Sequence, residues 1–155
     1  MHFNLVDAVL ERTEASITTI KQVSLAEEYL QDHFADFPVL PGVLMLESMV
    51  QAARAMIDAG DREAGRPARR MVLGGVRALK YGTFVRPGHS IRVVVGVHKR
   101  DDGVGTIEFK GQATLIAPGG APVLDASGEP AVAVAGRFVL RPVTIESPLR
   151  AASPP

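Results

Sequence analysis

His33-Phe34-Ala35-Asp36-Phe37-Pro38-Val39-Leu40-Pro41-Gly42-Val43-Leu44-Met45-Leu46-Glu47-Ser48-Met49-Val50-Gln51 decides how the whole chain reads. A histidine enters a loop stiffened by Pro38 and Pro41, Gly42 opens a helix, and the helix carries one carboxylate, Glu47, early in its course. The helix is expected from about Gly42 to Ala59, with Gly60 as its stop. It is apolar on nearly every side and keeps only a thin polar stripe of Glu47, Ser48, Gln51, Arg54 and Asp58. Such a helix must be enclosed by something else.

The remainder of the chain reads mostly as strands. Residues from Asn4 to Leu10 suggest a short helical turn, and Glu11 to Val23 alternate over a threonine- and isoleucine-rich run that predicts one long strand. Ser24 and Glu27 form a capping-box pattern ahead of a short segment ending at Leu30. Beyond the helix, Asp61 to Arg70 carries Gly65, Pro67 and several charges and predicts a mobile loop. Strands follow at Met71 to Tyr81, Ser90 to Arg100, Val104 to Ala117 and Ala131 to Leu140, separated by glycine, proline and aspartate turns. The pattern gives an α+β fold, an antiparallel β-sheet wrapped around one long central helix. It forms one domain over residues 1–141, with 142–155 as a proline-rich surface or disordered tail.

Composition narrows the function. Lysine plus arginine and aspartate plus glutamate both total 17 in 155 residues, so no net charge points to nucleic acid or an acidic membrane surface. Aromatic residues are only 5%, too few for base stacking to be the purpose. There is no cysteine, which excludes disulfides, a thiolate nucleophile and cysteine-built metal sites. The N-terminus lacks a basic region followed by an apolar run, and no segment is long enough to span a bilayer, so a cytoplasmic location is expected. His2, His89 and His98 have no carboxylate at ligand spacing and read as surface or strand-end residues; neither a metal nor a cofactor is expected.

On spacing alone, the stripe holding Glu47 is the wet edge of the helix, with Glu47 and Arg54 two turns apart. The alternative is that the stripe lines a narrow cavity. A carboxyl withdrawn from water keeps its proton to higher pH, which an acid at position 47 requires. His33 gains interest from its company. The first helical amides, those of Gly42, Val43 and Leu44, sit at the positive helix end without partners inside the helix, a ready place for an oxyanion. A base, an acid and an amide pocket in one stretch suit removal of the proton next to a thioester carbonyl while a β-hydroxyl departs. Ser48 has no neighbouring base and is discounted as a nucleophile.

His33-Phe34, Pro38-Val39-Leu40-Pro41-Gly42-Val43-Leu44, Glu47 and Gln51 together resemble the 3-hydroxyacyl-acyl-carrier-protein dehydratases of the FabZ type. Weaker likeness extends upstream through Lys21-Gln22-Val23-Ser24 and downstream through Lys80-Tyr81 and Val85-Arg86-Pro87-Gly88. The resemblance implies a hot-dog fold, paired into a homodimer and often into a hexamer as a trimer of dimers, and a lyase of fatty-acid biosynthesis and lipid metabolism. It further implies His33 as base, Glu47 as acid from the neighbouring subunit, Gly42 as oxyanion donor and Gln51 as support for the glutamate. An acyl tunnel would be lined by Phe34, Phe37, Val39, Leu40, Pro41, Val43 and Phe84. Acyl carrier protein would deliver the substrate on its phosphopantetheine arm, meeting Arg66, Arg69, Arg70 or Arg86.

Several positions depart from the family pattern. Asp32 replaces a glycine, Ala35 and Asp36 replace proline and glycine, Gly82 an arginine and His89 an aspartate. These leave the catalytic pair intact and bear on which acyl chain is served. Carboxylates flanking an imidazole also work against its neutral form. A hot-dog acyl thioesterase using Glu47 to activate water, and a non-catalytic acyl-binding or scaffolding subunit, are the other readings of the same residues.

Overall fold

The computed structural model describes residues 3–143. Its elements are β1 (Ala8–Arg12), β2 (Ser16–Gln22), a single 3-10 turn (Glu28–Leu30), α1 (Gly42–Glu63), β3 (Met71–Tyr81), β4 (Ser90–Asp101), β5 (Thr106–Ile116) and β6 (Val132–Pro142). The six strands form one antiparallel sheet in the order β1-β2-β4-β5-β6-β3. β3, which follows the helix, is therefore sent to the edge farthest from β1. The sheet wraps α1, the hot-dog arrangement. No helix among the described residues is long and apolar enough to cross a membrane.

Alternation along each strand explains the wrapping. In β4, Ile91, Val93 and Val95 are buried while Arg92 and Val94 are not; in β5, Ile107, Phe109, Ala113 and Leu115 point inward. These meet Met45, Met49, Ala52, Ala53, Met56 and Ile57 of α1 in one core cluster. Close approach depends on Gly111, where an added Cβ would lie 2.6 Å from the Met49 sulfur. Beside it, the Phe109 and Phe138 rings stack at 5.5 Å. Each large side chain buried this fully contributes about 1.5–3 kcal/mol to folding.

Four expectations change. The run from Glu11 to Val23 is not one strand but a hairpin, because Thr13 Oγ1 accepts from the amides of Ala15 and Ser16 and the Thr13 amide bonds the Ser16 carbonyl. The helical turn expected over Asn4 to Leu10 is an extended segment leading into β1, with Leu5 sunk into the interior. The capping box at Ser24 does not form a longer helix: the Glu27 carboxylate turns instead to the buried Lys21, 2.8 Å away, which also meets Asp7. Finally, α1 runs through Gly60 to Glu63.

The helix ends at Gly65, whose φ of 64° only glycine adopts easily. The Gly65 amide bonds the Arg62 carbonyl and the Arg66 amide bonds the Asp61 carbonyl, the paired bonds of a Schellman stop. The segment expected to be mobile is thereby tied down. Asp61 is 1% exposed and accepts from Arg69 at 2.8 and 2.9 Å and from Arg66 at 3.0 Å. β6 reaches Pro142, and the Val143 amide still bonds Arg70; His2 and the remainder of the expected tail lie outside the described residues.

The Arg69 hydrogen bonds hold the Asp61 carboxyl below the ordinary aspartate range, against the opposing effect of burial, with Arg66 adding to them. A depressed folded-state value stabilises the protein above the unfolded value of about 3.9, and that contribution is lost as pH falls through the folded value. Asp61→Asn is expected to lower stability by about 2 kcal/mol near neutral pH. The gap to wild type should begin to narrow in denaturant titrations below about pH 3.9 and close once the pH has fallen through the folded value.

Candidate active site

The loop ahead of α1 is anchored by Leu30 and Leu40, both buried, and by the Leu40 amide on the Val85 carbonyl. Phe34 and Phe37 exchange both backbone hydrogen bonds, closing a tight turn, and the His33–Phe34 peptide is cis. Val39 grips the histidine twice. Its amide donates to the His33 carbonyl at 2.9 Å, and its own carbonyl lies 2.8 Å from His33 Nδ1. A carbonyl only accepts, so in the neutral ring Nδ1 carries the hydrogen and Nε2 keeps a free lone pair. The ring stacks on Phe34 at 4.4 Å. Asp32 and Asp36, expected to act on it, make no ion pair with it; among the described residues no carboxylate comes within 4.0 Å of the imidazole nitrogens.

At the helix start Pro41 stands in the capping position and offers no side-chain cap. Its carbonyl takes the amides of Leu44 at 2.9 Å and Met45 at 3.2 Å. The expected three-amide pocket is therefore two amides, those of Gly42 and Val43, which have no acceptor among the described hydrogen bonds. Tyr81, the last residue of β3, lies flat against Gly42: an added Cβ would come 2.8 Å from Tyr81 Cε1. Sequence reading gave Tyr81 no role, since the contact joins residues from opposite ends of a crossover.

Glu47 is held by two neighbours on its own helix. Its Oε1 accepts from Gln51 Nε2 at 3.1 Å and from Arg54 Nη1 at 3.4 Å. Gln51 is in turn fixed by the N-terminal segment, accepting from the Leu5 amide at 2.8 Å and donating to the Phe3 carbonyl. Arg54 Nε donates to the Met71 carbonyl at 3.0 Å, at the start of β3. Arg54 thus joins the acid to the edge strand, a role its place in the stripe did not reveal. The Glu47 side chain keeps 26% of its exposure. In the single chain it sits in a polar stripe, not in a closed cavity, and no hydrogen bond joins it to His33.

The expected acyl lining divides. Phe34, Phe37, Val43 and Phe84 are exposed, and Phe37 meets Phe84 edge-on at 5.5 Å with the Arg86 guanidinium over its ring. Val39 and Leu40 are buried within the single chain, at 1% and 2% exposure. Pro41 is half-buried as the helix cap. Ser48 donates to the Met45 carbonyl at 2.7 Å and is buried, as suits a residue without nucleophilic work. Gly82 has a steric reason for being glycine, since any Cβ there would collide with the Val132 carbonyl oxygen.

The family model of the FabA-like domain matches residues 1–117. The 3-hydroxyacyl-[acyl-carrier-protein] dehydratase FabZ of Pediococcus pentosaceus is 38% identical over 93 residues, which cover 60% of this chain and 60% of that one. The enzyme of the same name from Oenococcus oeni is 37% identical over 103 residues, 66% of this chain and 72% of the relative. The first of these matches thus spans about three-fifths of the relative's length. Among solved structures, the dehydratase heterocomplex ApeI:P from Xenorhabdus doucetiae superposes with a TM-score of 0.71 at 17% identity, covering 91% of this chain and 84% of that chain, and shares the fold.

Replacing Gln51 with alanine leaves the Leu5 amide without its acceptor and should cost about 1–2 kcal/mol. Hydrogen exchange at that amide should speed up in Gln51→Ala and remain as in wild type in Arg54→Ala, which does not touch it.

Proposed function

The chain belongs to the FabA-like domain family, and on that premise we propose that it removes water from a 3-hydroxyacyl thioester to give the trans-2-enoyl product. The observation that carries this reading is the hydrogen bond between His33 Nδ1 and the Val39 carbonyl, which leaves the Nε2 lone pair free on the same short stretch of chain as two unpartnered amides. Nε2 takes the α-proton. The thioester oxygen, gaining negative charge, is stabilised by the Gly42 and Val43 amides at the positive end of α1. The electron pair left on the α-carbon forms the double bond as the bond from the β-carbon to oxygen breaks. Glu47 gives its proton to the departing hydroxyl, which leaves as water. Gln51 and Arg54 hold the Glu47 carboxyl in place from one oxygen and leave the other free for the substrate.

The site is completed by a second copy of the chain. β3 is an eleven-residue edge strand whose Leu73, Val76 and Tyr81 are exposed. A long, largely apolar edge of this kind is a template for pairing. A partner strand along it would cover Tyr81 and the start of α1 and bring each Glu47 toward the other subunit's His33. Phe34, Phe37, Val43 and Phe84 then form the apolar path for the acyl chain. The substrate is carried on acyl carrier protein, as the names of the relatives state for those enzymes.

The test is hydration of a trans-2-enoyl thioester by the purified protein. His33→Ala and Glu47→Gln should each lower turnover by about 10²–10⁴-fold with unchanged melting temperature; wild-type protein no faster than the variants overturns the assignment. Light scattering should give twice the chain mass, and Val76→Asp, which places a charge on the β3 edge, should halve it and abolish turnover with it.

A further inference from the structure

At the far end of α1 a cavity of about 730 Å³ opens between the helix and the β1–β2 turn. Met56, Ile57 and Val97 supply the large apolar side chains of its lining, here called its floor. Gly60 lies within this floor, and a Cβ built on it would meet nothing within 4 Å. A glycine inside a helix costs about 1 kcal/mol relative to alanine. No neighbour packs against Gly60 to require the missing side chain; what its absence provides is open space. The volume falls within the range of small-molecule sites.

The rim carries four guanidiniums, Arg12, Arg66, Arg69 and Arg100. Arg12 is matched by Glu63. Arg66 and Arg69 share the buried carboxylate of Asp61, which holds Arg69 by two bonds and Arg66 by one and leaves nitrogens of both free. Arg100 has no carboxylate within 4.0 Å among the described residues and only a long contact, 3.4 Å, to the Glu14 carbonyl. Counting Glu14, Glu63 and Asp61, guanidiniums outnumber carboxylates, and two of them are held before any ligand arrives. Planar, preorganised guanidiniums match phosphate oxygens in pairs. Eighteen residues of helix separate Gly60 from Gly42, about 27 Å at 1.5 Å per residue, so this cavity is not part of the amide pocket.

We infer that the cavity binds a small organic phosphate, its anionic group on Arg66, Arg69 and Arg100 and its body on the floor around Gly60. The assignment does not depend on the thioester chemistry of His33. The test is titration of the full chain with adenosine 5′-monophosphate, inorganic phosphate and octanoate, followed by the NMR signals of the arginine Nε–H groups. The monophosphate should bind saturably, and inorganic phosphate more weakly. Arg100→Ala should weaken the monophosphate at least about tenfold, the loss of one charged hydrogen bond. Gly60→Leu should abolish binding by filling the floor without lowering the melting temperature, since leucine is the better helix former. No saturable response to either phosphate, a response equal in wild type and both variants, or binding of octanoate alone overturns the inference.

Discussion

Everything in this molecule follows from the need to enclose α1. Met45, Met49, Met56 and Ile57 face the sheet along most of the helix, and the seat of Met49 over Gly111 sets how near the two layers come. A helix so apolar leaves the chain one way to proceed: cross the open side and return along the far edge as β3. That crossover carries Tyr81 to the first turn of α1, where its ring covers Gly42. The chemistry of the helix start is thus a by-product of packing. The same folding step that hides the methionines builds the wall beside the free amides.

The histidine and the glutamate are positioned by different parts of the fold. His33 answers to its own loop, through a carbonyl six residues away. Glu47 answers to distant segments, through Gln51 to Leu5 and through Arg54 to Met71. The two side chains therefore have different sensitivities: a loop change moves His33, a loosened N-terminal segment or edge strand moves Glu47.

The sequence was most informative where punctuation is local. Two prolines and a glycine mark the helix start, and the run from Met71 to Tyr81, set off from its neighbours by turn residues, matches the observed limits of β3. It was least informative where a tertiary partner overrides a local signal. Thr13 and Ser16 continue the alternation of the flanking residues, so the β1–β2 turn is hidden in what looks like one strand. Gly60 reads as a stop, yet the buried Asp61 and its arginines carry the helix on to Gly65. Val39 and Leu40 look like tunnel walls because they are apolar and near the histidine. Only the fold reveals that both are buried already in the single chain. The links of Gln51 to Leu5 and of Tyr81 to Gly42 are long-range and leave no periodic trace.

The two margins of the sheet are unlike. β3 has eleven residues and two register shifts against β6, whereas β1 has five residues, one register shift between Val9 and Glu11, and closes on Glu11 and Arg12. A short margin offers few backbone groups, so a head-to-tail ribbon joining β1 of one molecule to β3 of the next would have little to hold it. Like-with-like joining through β3 would consume the long margin of both molecules and leave only β1 facing the solution. The pairing proposed above would thus be self-limiting, because it leaves only the short margin free.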